Sequence, residues 1–341
     1  MLLEMAAINL VLKRAASVAL TAIVFAGPAS AEVAEIKITK QPGALYLPVI
    51  LMEHHKILEK HAAAAGLPDL KVQWLNVMSG GAATDALLAG SIDIVVSGVS
   101  NMLLLWGKTN GEVKSLVGLS GLPFKLVSRN PNIKTIKDFT PNDRIALPTI
   151  KMSMQAITLG IALQKAYGDD KANEKLLTNQ VQMGHPDGLA AILNPVHEVT
   201  SHFTSSPYQD IALKQPGVHE VLNSMDALGG AAHVGVIFST QKFVDANPKL
   251  VKAFVTAYDD AIALMKKDTK AAAQTYLAVT KEKITADELV ALLTQPGAIY
   301  QAAPVRTMIY ATYMWKAGFV KREPKSWKDY FFPIIHDREG S

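Results

Sequence analysis

Ser79-Gly80-Gly81-Ala82-Ala83-Thr84-Asp85-Ala86-Leu87-Leu88-Ala89-Gly90-Ser91-Ile92-Asp93-Ile94-Val95-Val96 carries the clearest turn–helix–strand signal in the chain. A glycine turn opens it. Ala82 to Ala89 is rich in helix formers, and Gly90 stands where a helix closes on a left-handed residue. Ile92 to Val96 then reads as a short apolar strand, and Val99 to Trp106 as a buried helix. Upstream, Glu35 to Thr39 alternates as a strand, Leu47 to Ala64 shows helical spacing, and Leu70 to Leu75 alternates again. Strand, helix, strand, helix, strand is the order of an α/β unit, for which a mainly parallel sheet flanked by helices is expected.

Further out the pattern repeats. Phe124 to Ser128, Arg144 to Leu147, Asn179 to Met183 and Glu198 to Phe203 read as strands, and Ile136 to Phe139 as a short helical turn. Ser153 to Tyr167 reads as a helix stopped by Gly168, with further helices over Pro186 to Leu193 and Pro207 to Leu213. After Ala231 come a strand at His233 to Ser239 and helices at Thr240–Asp245, Pro248–Lys267, Thr269–Thr280, Thr285–Leu293 and Val305–Ala317.

At the amino end, Lys13 and Arg14 precede an uncharged apolar run, Ala15 to Ala26. Gly27-Pro28 breaks the run, and Ala29-Ser30-Ala31 offers small residues to signal peptidase. Twelve residues of helix cover roughly 18 Å, short of a bilayer core of about 30 Å. Residues 1–31 are therefore expected to be a cleaved signal, with Met5 an alternative start. Of 341 residues, removal of 31 leaves 310; the leader takes two basic residues and one acidic with it, so the formal charge of +4 becomes +3. The chain has no cysteine. That excludes disulfides, thiolate metal sites, a cysteine nucleophile and a lipidated cysteine at the cleavage site, so a soluble periplasmic protein without a lipid anchor is expected. The basic residues are scattered, which speaks against nucleic acid as a partner.

Candidate chemistry lies in loops that follow strands and precede helices: Gln41 to Tyr46, Ser79 to Gly81, Ser97 to Asn101, Thr149 to Ser153 and Thr204 to Pro207. Ligands of open α/β sheets bind at the carboxyl ends of strands, where helix N-termini present free N–H groups to anions. The same residues also serve as plain caps and turns. His54, His55 and His61 lack the spacing that puts two metal ligands on one helix face. His202 at a strand end lines a pocket or fills the core. Trp315, Trp327, Tyr310, Tyr313 and Tyr330 read as packing or as a ligand cage. There is no G-x-S-x-G elbow and no P-loop.

Ile36-Lys-Ile-Thr-Lys-Gln-Pro-Gly-Ala-Leu-Tyr46, Ser79 to Asp93 and Val199-Thr-Ser-His-Phe-Thr-Ser-Ser-Pro-Tyr208 together resemble the periplasmic solute-binding proteins of ABC importers, in the group that binds nitrate, taurine, sulfonates and thiamine precursors. The resemblance spans the mature chain. It implies the two-lobe periplasmic binding protein fold of type II, with lobe one over 32–125 plus 236–341, lobe two over 126–235, and a hinge of two crossing strands. It places Gln41, Tyr46, Ser79, Gly80, Gly81 and Ser100 on the lobe-one wall and Thr149, Ser153, His202 and Thr204 on the lobe-two wall. It departs at Asn194-Pro195-Val196-His197, where relatives usually carry a Gly and an Asp before the strand. Enzymes of similar fold depend on cysteine motifs, so what is implied is a monomeric receptor with no catalytic residue, metal or cofactor. Its partners would be a small-molecule ligand and an inner-membrane permease. A small organic anion such as a sulfonate or carboxylate is favoured. A pyrimidine-like thiamine precursor and a role as an extracytoplasmic sensing module stay open.

Overall fold

The computed structural model describes residues 32–77 and 79–341; the leader expected over residues 1–31 lies outside the described residues. In chain order the elements are β1 (Glu35–Lys40), α1 (Leu47–His54), α2 (Ile57–Ala64), β2 (Lys71–Asn76), α3 (Gly80–Leu88), β3 (Val95–Gly98), α4 (Val99–Lys108), β4 (Val113–Ser120), β5 (Lys125–Ser128), β6 (Ile145–Leu147), α5 (Met154–Tyr167), β7 (Gln180–Gln182), α6 (His185–Leu193), β8 (Ser201–Thr204), α7 (Tyr208–Leu213), β9 (His219–Asn223), α8 (Ser224–Leu228), β10 (Gly235–Thr240), α9 (Gln241–Ala246), α10 (Pro248–Lys267), α11 (Thr269–Thr280), α12 (Ala286–Leu293) and α13 (Met308–Lys316).

Two groups of strands result. β1 pairs with β2 in parallel, and a bridge from Ile38 to Ile94 joins them to the side where β3, β10 and β4 form an antiparallel trio. Five strands in the order β7-β6-β8-β5-β9 make the second sheet. Its β6 runs parallel to β7 and β8, whereas β5 runs antiparallel to β8 and β9. β1, β2, β3 and β4 thus run one way on the first side, and β7, β6, β8 and β9 run one way in the second sheet, so the strands are mainly parallel as expected, with one reversed strand in each set. The cause of the reversal is the connectivity. β5 enters the second sheet from the first, and β10 returns the other way. Each is inserted between two strands that it runs against.

Local chemistry explains most of the elements. In β1 the alternation buries Ile36 and Ile38. Ser153 caps α5 by accepting from the Ala156 N–H, and Gly168 closes it at φ +65°. Asp268 ends α10 and caps α11 through the Ala271 N–H, and Thr285 with Glu288 forms a capping box on α12. The helix expected from Leu47 to Ala64 is in fact two. Lys56 sits in the left-handed region at φ +49°, and the helix bends there although no Gly or Pro marks the break. Ile136 to Phe139 holds a single turn, closed by the Asp138 N–H on the Thr135 carbonyl at 3.2 Å. β9 and α8 went unanticipated. The departing turn at Asn194–His197 is held from outside, the Arg129 guanidinium donating to the carbonyls of Pro195 (2.8 Å) and His197. The main core runs continuously from Ile36, Val95 and Val236 to Phe124, Ile145 and Phe203, and so spans both sheets.

Candidate ligand-binding site

The carboxyl ends of both sets of strands face one narrow cavity of about 60 Å³. On the first-sheet side the turn after β1 brings in Gln41 and Tyr46. The Gln41 amide donates to Ser97 Oγ at 3.2 Å, and the Asn101 amide donates to the same oxygen at 3.0 Å. Gly80, the first residue of α3, lies flat on this pair. A Cβ there would stand 1.9 Å from Asn101 Nδ2 and 2.3 Å from Ser97 Oγ. Only glycine fits, and its backbone becomes part of the wall.

On the second-sheet side the wall is made of side chains. Thr149 and Ser153 approach α5, and Gln155 lies in its first turn. His185 opens α6 and lines the cavity; its Nδ1 is 2.8 Å from Thr204 Oγ1, and its ring stacks on Tyr208 with centroids 5.7 Å apart. Ser205 completes this side. The walls touch. The Ala44 N–H donates to the Ser206 carbonyl at 3.1 Å, Ser100 Oγ donates to the Met152 carbonyl at 2.5 Å, and a Cβ on Gly98 would stand 2.8 Å from Met154 Cγ.

Among the described residues no Asp, Glu, Lys or Arg side chain lines the cavity. Its polar character comes from amides, hydroxyls and the starts of α3, α4, α5 and α6, represented by Gly80, Gly98, Ser153 and His185. Helix starts carry unpaired N–H groups and the positive end of the helix dipole, so this wall suits a negative group without supplying a fixed positive charge. Burial raises the Tyr46 phenol, which stays protonated, and lowers His185 to about 4, which keeps it neutral near pH 7. A second chamber of about 370 Å³ shares Gln41 and Pro42 with the first. It is bordered by Lys40, which is paired with Glu53, and by Tyr208, whose hydroxyl donates to Glu282 at 2.5 Å.

No protein-family model matches the chain, and no curated protein sequence matches it. Solved structures do. The alkanesulfonate-binding protein SsuA from Xanthomonas axonopodis pv. citri, bound to MOPS, superposes with a TM-score of 0.67 at 18% identity, over 89% of this chain and 99% of that one. The periplasmic aliphatic sulphonate binding protein SsuA from Escherichia coli gives 0.63 at 18% identity, over 88% and 92%. The periplasmic nitrate-binding protein NrtA from Synechocystis PCC 6803 gives 0.62 at 15% identity, over 87% and 84%. The chain has the periplasmic binding protein fold.

Gln41, Tyr46, Gly80, Thr149 and Ser153, all expected from the sequence, line the cavity together. The other five stand behind or beside it. Ser79 caps α3, accepting from the Ala82 N–H. A Cβ on Gly81 would meet the Thr149 methyl at an ordinary 3.9 Å. Ser100 is fully buried, its hydroxyl committed to Met152. Thr204 holds His185 from behind, and His202 is fully buried beside that ring, the centroids 5.8 Å apart. Sequence reasoning missed Ser97, Asn101, Gln155, Ser205 and His185. Ser97 and Asn101 flank Gly98 and Ser100 in a loop already singled out. His185 gave no such signal, since the helix was expected to start one residue later, at Pro186. Among the histidines weighed for metal, His54 and His55 pack edge to face, and His61 pairs with Asp260 at 2.7 Å. Tyr310 and Tyr330 are core residues.

Proposed function

We propose that this protein is the periplasmic solute-capturing component of an ABC importer, and that it binds a small organic anion, a sulfonate or carboxylate, in the cavity lined by Gly80 and Ser153. One observation carries the reading: four helix starts converge on a cavity that, among the described residues, no carboxylate lines. The alkanesulfonate and nitrate receptors of the same fold agree with it. The adjoining chamber favours an organic anion over nitrate, because it gives a carbon chain somewhere to go.

In this reading lobe one comprises 32–125 and 236–341, and lobe two 126–235. Contacts to both favour the closed arrangement by their differential affinity, and the closed form is what an inner-membrane permease receives. Gln41, Gly80 and Asn101 would hold the ligand from one side, Ser153, Gln155 and His185 from the other. The chain acts by binding, not catalysis, and works as a monomer. Residues 1–31 serve as its export signal. Among the described residues no helix is long and apolar enough to cross a membrane.

The test is a thermal-shift screen of the purified mature protein against short alkanesulfonates, carboxylates, nitrate and pyrimidines, followed by calorimetry. An alkanesulfonate or carboxylate present at 100 times its Kd stabilises the fold by about 2.7 kcal/mol. Shifts with pyrimidines alone would replace the anion by a neutral heterocycle, for which the Gln41, Asn101 and Gln155 amides are also suited. Gly80→Val pushes a side chain into Asn101 and Ser97 and is expected to weaken binding at least about 100-fold, a loss of ~2.7 kcal/mol. Unchanged affinity in that variant removes the α3 turn from the site.

A further inference from the structure

A simple anion cradle needs no titratable group, yet the second-sheet wall carries an imidazole that lines the cavity, a second imidazole beside it, and a hydroxyl bonded to the first. His185 Nδ1 is engaged by Thr204 Oγ1 at 2.8 Å. Nε2 makes no hydrogen bond among the described residues, and His185 lines the cavity. The Thr204 hydroxyl has no other polar partner among the described residues; with its hydrogen given to Nδ1, the imidazole hydrogen sits on Nε2, available to a ligand. Beside it, His202 is completely buried in β8, and neither of its ring nitrogens has a partner among the described residues. A Cβ on Gly188 would stand 2.4 Å from His202 Nε2, so α6 is pressed against that ring.

We propose that His185 is a ligand-contacting residue that takes up a proton from solvent when an anion is captured, so that anion affinity is coupled to pH. This rests on the anion reading above. The surroundings decide the direction. The elements packed on α6 are β6, β8 and α7. β6 offers no titratable group. β8 offers His202, which opposes a second positive charge nearby. α7 offers Tyr208, Asp210 and Lys214. The Tyr208 hydroxyl is committed to Glu282, while Lys214 pairs with Glu288 in solvent. On α6 itself Asp187 is exposed. Across the cavity stands the neutral phenol of Tyr46, and Lys40 near the second chamber is already paired with Glu53. In the empty site nothing supplies His185 with a bonded carboxylate, and burial holds it neutral, down to about 4. An anion on Nε2–H supplies the missing counter-charge and raises its proton affinity. When the proton arrives, Nδ1–H donates to Thr204 Oγ1, the hydroxyl turning from donor to acceptor.

Propane-1-sulfonate is the probe, since its own charge does not change across the range. Calorimetry from about pH 7.5 to about pH 5 is expected to show at least ~10-fold tighter binding by wild type at the acid end, with up to one proton taken up per ligand when two buffers of different ionisation enthalpy are compared. His185→Asn keeps a side-chain amide near the cavity, removes the titration, and is expected to bind with a flat profile. Thr204→Ser keeps the hydroxyl and the wild-type slope. Where His185→Asn fails to fold, the imidazole NMR titration of wild-type His185 decides: its pKa rises when sulfonate is added. Wild-type binding that is flat with pH, or an identical slope in folded His185→Asn, overturns the proton coupling and leaves the anion reading intact. No binding of any sulfonate or carboxylate at any pH overturns both.

Discussion

His233, on the approach to β10, and His202, in β8, are both completely buried, yet they live in opposite circumstances. His233 accepts the Val305 N–H at Nδ1 (2.9 Å) and donates from Nε2 to the Gln301 carbonyl (3.1 Å), so its tautomer is fixed and both nitrogens are satisfied. His202 has neither nitrogen partnered. The first is a staple that ties the returning strand to the segment before α13. The second is a polar ring held in an apolar place, and it adjoins the one imidazole that reaches the cavity. Buried imidazoles are cheap where the backbone pairs them, and an unpaired one carries the desolvation cost of its nitrogens with nothing to offset it.

Four measurements would break or sharpen that contrast. The largest effect is expected from His233→Leu, which strands a backbone donor and a backbone acceptor; chemical denaturation should report a loss of about 4 kcal/mol. Next comes acid. Burial lowers the His233 pKa from 6.5 to about 4, only partly offset by its bond to Gln301. The unfolded chain therefore binds the extra proton first. The stability that His233 contributes is complete above about pH 6.5, falls as pH drops towards 4, and by then amounts to a loss of about 3 kcal/mol. Denaturation midpoints across that window check it, and His202→Leu should reduce the slope as well, since His202 too is held well below its ordinary value by burial and by His185. Third, Gly188→Ala drives a methyl into the His202 ring and should cost about 1–3 kcal/mol. The smallest change is His202→Leu itself, which removes a polar group without stranding a partner and should alter stability by less than about 1 kcal/mol. If His202→Leu proves as damaging as His233→Leu, the two rings play the same part and the contrast fails.

The same difference governs what could be read from the sequence. On the first-sheet wall Gln41, Tyr46 and Gly80 were legible, because turn residues between a strand and a helix leave a mark on the chain and Gly80 is there for a steric reason, whereas Ser97 and Asn101, which bond beneath it, were not. α5, α10 and α11 were legible through Ser153, Gly168, Pro248 and Asp268, whose capping chemistry is local. The break at Lys56 was not, because a lysine in a left-handed conformation looks like any other lysine. β9 was missed because His219-Glu220-Val221-Leu222-Asn223 lies at a sheet edge and is only partly buried, so its alternation is weak. His185 was missed because its role depends on Thr204, nineteen residues on, and on Tyr208 beyond that. Contacts of that kind are made by topology, and the reversed direction of β5 and β10 likewise follows from their crossing between the two sheets.

The contacts between the walls have a kinetic consequence. Ala44 to Ser206 and Ser100 to Met152 join the two sides directly across the cleft, beside about 60 Å³ of cavity. Under the proposed binding role, a ligand larger than that space enters when they part. In stopped-flow mixing the observed association rate is then expected to climb with ligand concentration and level off at the rate of parting, so that the protein's own breathing and not encounter paces capture; a rate that stays linear with concentration would show that these contacts gate nothing.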